Sequence, residues 1–267
     1  MLAERVPILA AVLRERRRGL LLWAVAVAAV SAMYLAFWPA MGTGGEMQAL
    51  VEGMPEALVT AMGYEGIGTA AGYLESTVYG LLAPILLLVM AIAAGARLLG
   101  GEEEDGTLEL ELAHPVSRRR VVLERMAALV ITILVATTAV LVVTLVLVPL
   151  LEMDVAAGAI VATAVGLALL VLAFGLLALA VGAATGRRAT ALGLPAGLAV
   201  VTYVADAVAP LVEWGGWLEA ISPFSWYLGA DPLLTGWDPA GLALLALVAV
   251  AASLVAVRAF EIRDLGA

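Results

Sequence analysis

The chain has 267 residues, 64% of them apolar and 14% charged, and carries a net charge of −9. Soluble domains hold about 45–50% apolar and about 25% charged residues, so a fold of this length needs lipid to cover part of its surface. The absence of cysteine excludes disulfides, thiolate metal sites and cysteine nucleophiles; the absence of lysine excludes a Walker A nucleotide loop; and the acidic balance argues against a nucleic-acid partner.

Crossing the hydrocarbon core takes about 20 mostly apolar residues. Six runs meet that length: 19–39, 79–99, 121–151, 155–184, 190–212 and 239–259. The first is longer than the 7–15 residues of a signal-peptide core and lacks a small-x-small cleavage site after it, so it reads as a retained helix. Before it, Glu4 to Arg18 sets Val6, Leu9 and Leu13 against an arginine-rich remainder. That pattern predicts an amphipathic helix over residues 1–18, lying on the inner membrane surface. The expected architecture is all-α: one polytopic membrane domain over 1–267 with six transmembrane helices.

Basic residues near span ends mark the cytoplasmic side. All 14 basic residues are arginine. They fall in the N-terminal segment, in the segment between the second and third runs, in the turn at Arg187 and Arg188, and in the tail at Arg258 and Arg263. The segments between these carry only acids, among them Glu46, Glu75, Glu152, Asp154, Glu219 and Asp231. The alternation predicts that both termini are cytoplasmic and that residues 40–78 and 213–238 are extracellular. In the first of these segments, Met47, Leu50, Met54, Leu58 and Ala61 form a helical stripe from Glu46 to Met62, ended by Gly63, Gly66, Gly68 and Gly72. In the second, Trp214, Trp217, Trp226, Tyr227 and Trp237 predict a segment that dips into the outer interface.

The cytoplasmic segment 100–120 carries the most content. An acidic run (Glu102, Glu103, Glu104, Asp105) is followed by Gly106, Thr107 and an apolar-acidic stretch with Leu108, Leu110 and Leu112. Pro115 and Ser117 then lead into Arg118, Arg119 and Arg120. Thr107 suits a helix cap, whereas the alternating leucines suit a strand; five residues do not decide between them. Three leucines in a charged loop call for a protein partner to cover them.

A Glu-rich turn, Gly-Thr-Leu, an apolar stretch, Pro, a small apolar residue, Ser and Arg, placed after the second of six spans, resembles the permease subunit of type-2 ATP-binding-cassette exporters. The matching positions are Glu103 or Glu104, Gly106, Thr107, Leu108, Leu110, Leu112, Pro115, Val116, Ser117 and Arg118. Gly72-Tyr73-Leu74, Ser222-Pro223-Phe224 and Arg263-Asp264-Leu265 agree with the same family, whereas Glu111 and His114 stand where it more often has apolar residues. The resemblance implies that segment 100–120 docks onto a separate P-loop ATPase subunit. It also implies that two permease subunits, identical or not, form the translocation pathway, and that ATP and its magnesium belong to the partner. No catalytic, cofactor or metal residue is expected in this chain.

Asp206 is an acid within the fifth run, where charge is costly; it reads either as a cation or proton site or as a group reaching interfacial water near Pro210. The first reading supports an alternative function, a secondary transporter driven by an ion gradient. Such a transporter calls for internal repeats and midplane polar groups, and no clear repeat is visible. Gly193 and Gly197 form a GxxxG pair that would permit close helix approach.

Overall fold

A computed structural model describes residues 7–41, 51–61, 64, 66–112 and 116–263. The described residues form helices and turns, with no strand. Six helices are long and apolar enough to cross a membrane: Pro7–Ala40, Ala70–Glu104, Arg118–Leu150, Ala157–Thr185, Arg188–Leu211 and Pro239–Ile262. They are spans 1 to 6 below. All arginines among the described residues lie toward one end of the bundle, here the basic end, and the tryptophan-bearing loops lie at the other.

The helix expected over 1–18 and the first apolar run are continuous where the structure describes them. Pro7–Ala36 is one uninterrupted helix, with Arg14 to Arg18 within it. Thirty residues at 1.5 Å rise make about 45 Å, longer than the roughly 30 Å hydrocarbon core, so its basic end projects beyond the apolar layer. Residues 1–6 lie outside the described residues.

Span 2 begins at Ala70, nine residues before its predicted start. Thr69 caps it by accepting from the Gly72 N–H at 3.1 Å. Gly72, Tyr73, Leu74 and Glu75 are therefore helical rather than part of a loop, and Tyr73 and Leu74 are fully buried. The helix widens to π geometry over Glu75–Leu82 and again over Arg97–Gly101. Of the predicted stripe 46–62, only residues from Val51 to Ala61 lie within the described residues, and there the helix runs Glu56–Ala61.

Span 4 is the hub, with spans 2, 3, 5 and 6 packed around it, while span 1 lies mainly along span 3. Small residues allow the closest approach. A Cβ on Gly95 of span 2 would lie 2.3 Å from the Gly175 carbonyl oxygen of span 4. Gly166 lies beneath the Tyr227 ring in the same way, at 2.9 Å. The GxxxG pair does not take part: Gly193 and Gly197 have nothing within 4 Å of a Cβ, and span 5 keeps Leu194, Leu198 and Val201 exposed.

Between spans 5 and 6, short helices Gly216–Ile221, Pro223–Leu228 and Pro232–Thr235 fold back on the bundle. Ser222 caps the second of these, and Phe224 and Tyr227 are buried against the spans. Trp214, Trp217 and Trp237 remain exposed, the first two with stacked rings. That division fits an interfacial segment, with one set of rings in the protein and the other facing the headgroups.

Candidate coupling site at the basic end

Span 2 ends in Glu102, Glu103 and Glu104, and the chain then turns at Gly106, whose φ of 70° is a left-handed value that glycine takes without strain. The Thr107 hydroxyl donates back to the Glu102 carbonyl at 3.0 Å and closes the turn. Thr107–Leu112 is then a helix, which decides between the two sequence alternatives. In a helix Leu108 and Leu112 share a face and Leu110 does not, so the alternation is no strand signature here. Leu108 is 1% exposed and belongs to the chain's own core. The expectation that a partner covers this leucine is corrected: the chain covers it. The side chains of Leu110 and Leu112, and all of His114 and Pro115, lie outside the described residues. Ser117 caps span 3, accepting from the Arg120 N–H at 3.3 Å.

The three glutamates reach in three directions. Glu102 pairs with Arg16 of span 1 at 3.0 Å and with Arg125 of span 3 at 2.6 Å. Glu103 pairs with Arg263 at the end of span 6. Glu104 accepts from the backbone N–H of Arg188 at 3.0 Å, where the unpaired amides and positive dipole end of span 5 favour an anion. Arg118 completes the ring by donating to the Arg263 carbonyl oxygen at 2.5 Å. Charge-assisted bonds of this kind are about twice as strong as neutral ones. The acidic run thus ties the end of span 2 to spans 1, 3, 5 and 6.

Arg125 is the buried centre of this network, with its side chain 3% exposed. It pairs with Glu102 and with Glu111 of the short helix, and donates to the Leu98 carbonyl oxygen of span 2. Glu111, which departs from the family pattern, ties the short helix to span 3 through Arg125. Next to Arg125, buried Glu124 accepts from the free N–H groups of Ile8 and Leu9 at 2.9 and 3.0 Å, and so caps the start of span 1. Arg120 holds the same carboxylate at 2.6 Å. Sequence reasoning assigned Arg125 to topology alone and did not single out Glu124. The available signal was a pair of opposite charges at adjacent positions inside an apolar run, which can stay there only with partners.

Glu103, Glu104, Gly106, Thr107, Ser117 and Arg118 are thus brought together at one end of the bundle. Asp206 is not among them. It lies in the last turn of Arg188–Val208, at the opposite end, beside Ser222 and Ser225 of the returning segment. Its Oδ1 is buried without a hydrogen-bond partner among the described residues. This position is toward the end of span 5 that lies away from the basic end.

The chain thus combines six spans, an acidic-to-basic link between the second and third, and a folded-back segment before the sixth. Residues 7–265 match the family model described as ABC-2 family transporter protein. The chain belongs to the ABC-2 transporter family. No curated protein matches it. Nearly the whole chain is covered, so the six spans and the segment 100–120 all lie inside the matched region. The protein is a multi-pass membrane transport subunit of the ABC class, and membership in that class implies an ATPase partner.

Proposed function

We propose that this ABC-2 permease is the non-catalytic, membrane-spanning subunit of an ATP-driven exporter in the plasma membrane, with both termini cytoplasmic. It works beside a second permease subunit, and its segment 100–120 docks on a separate P-loop ATPase. One observation carries the reading. The turn at Asp105 and Thr107 is exposed, while the glutamates just before it are tied to four other spans. Force applied by a partner at that turn reaches spans 1, 3, 5 and 6 through short ionic contacts instead of dissipating in a loose loop. The arginines at the same end support the cytoplasmic assignment, because the partner hydrolyses cytoplasmic ATP.

The test uses the exposed positions, since Leu108 is buried and its replacement would disturb the core. The tagged permease, purified from its native host, is expected to carry a P-loop ATPase with it. Asp105→Arg should weaken that association at least tenfold while the permease itself keeps its wild-type melting profile. Undiminished copurification with this variant would overturn the docking assignment.

A further inference from the structure

At the basic end, spans 1, 2 and 3 enclose a cavity of about 420 Å³, within the range of small-molecule sites. Its two ends differ chemically. Leu20 and Trp23 of span 1 and Met90 of span 2 form an apolar wall running into the membrane. At the mouth stand Arg16, Arg97 and Arg188, with Glu15 as the carboxylate in the same wall. Arg16 is committed to Glu102 at 3.0 Å. Arg97 and Arg188 are exposed, and their guanidiniums form no ion pair among the described residues. Two such groups beside an apolar slot at the membrane boundary are matched by a molecule with an anionic head and a hydrocarbon tail. Basic pockets between spans hold anionic lipid heads in this way, and a guanidinium meets a phosphate with two parallel hydrogen bonds.

We propose that this cavity is a binding site for one anionic phospholipid of the adjoining leaflet. Its phosphate lies between Arg97 and Arg188, and an acyl chain lies along Leu20, Trp23 and Met90. A zwitterionic lipid fits less well, because its own ammonium competes for the phosphate and adds a positive charge beside the arginines. The lipid would fill the groove between span 1 and the rest of the bundle, next to the Arg16–Glu102 contact that ties span 1 to the coupling site. The assignment depends on the cavity and its charges, not on the direction of transport.

The test is native mass spectrometry of the full chain in mild detergent, titrated with phosphatidylglycerol or with phosphatidylcholine of the same chains. The wild type should retain one phosphatidylglycerol per chain under conditions that strip phosphatidylcholine. Arg97→Gln should weaken retention about fivefold, and Arg97→Gln with Arg188→Gln about thirtyfold. Equal retention of the two lipids, or an unchanged double variant, would sink the proposal. So would displacement of the lipid by millimolar inorganic phosphate alone, which would make the site one for free anions. A photoactivatable phosphatidylglycerol on unmodified protein removes any dependence on how the variants fold. Its cross-links should fall on peptides containing Leu20–Trp23 or Met90–Arg97, and cross-links confined to the 194–201 stretch of span 5, outside the cavity, would count against the site.

Discussion

Arg125 lies about two turns into span 3, where a guanidinium survives only because Glu102, Glu111 and the Leu98 carbonyl surround it. Removing one member of a buried ionic set strands the others and costs about 3–5 kcal/mol. Arg125→Gln should therefore lower the stability of the detergent-solubilised permease by about that amount, read as a fall in the denaturant midpoint followed by tryptophan fluorescence. Exposed Arg119, a few residues earlier, should tolerate the same change within about 0.5 kcal/mol. Some of these roles were legible in the sequence. The Glu-rich turn at Gly106 was legible, whereas the cap of span 3 was not: the sequence offered Thr107 as a cap, and the structure gives that role to Ser117 at the start of span 3. The partners of Arg125 were not legible, because they come from span 2 and the short helix and no spacing rule links positions 98, 102 and 111 to 125. Leu108 was misread for a related reason: a leucine among glutamates looks exposed until the fold buries it in the core.

Span 2 shows how one irregular element is stabilised by another. Across the π stretch the Ala83 N–H bonds to the Val78 carbonyl, five residues back. The next N–H in that series would reach the Tyr79 carbonyl, but residue 84 is proline and has none. The Tyr227 hydroxyl of the folded-back segment donates to that carbonyl instead, at 3.1 Å. Burial pushes the Tyr227 hydroxyl well above its ordinary pKa, so it remains a donor throughout the physiological range. Tyr227→Phe leaves the buried Tyr79 carbonyl unpaired and should cost about 1–3 kcal/mol in the same unfolding measurement. Pro84→Ala restores an N–H at this point, so the double variant Pro84→Ala/Tyr227→Phe should be more stable than the sum of the two single changes allows. Equal and additive losses would argue that the hydroxyl does not serve span 2. None of this was legible from hydropathy. The early start of span 2 was hidden by Gly72 and Glu75, which read as loop residues and become helical because neighbouring elements bury Tyr73, Leu74 and Tyr79.

At the scale of the whole molecule, the number and order of spans were legible because lipid imposes a length and an apolarity that few other folds require. How the spans pack was not, because every span is apolar all round and no single face advertises the core. The basic end joins two properties that sequence reading kept apart: the arginines that orient the chain and the ties that hold its spans together. If the orientation were reversed, the Asp105–Thr107 turn would face away from any cytoplasmic ATPase and the coupling assignment would fall. The absence of cysteine makes the orientation directly measurable. Thr107→Cys and Trp214→Cys place single thiols at exposed positions on opposite ends of the bundle. A membrane-impermeant maleimide applied to spheroplasts should label Trp214→Cys at once and Thr107→Cys only after the membrane is opened. The reverse pattern would invert the topology. Labelling of both before opening would mean that the basic end is reached from outside, and the ties at Glu102–Glu104 would then hold the bundle together without serving a cytoplasmic partner.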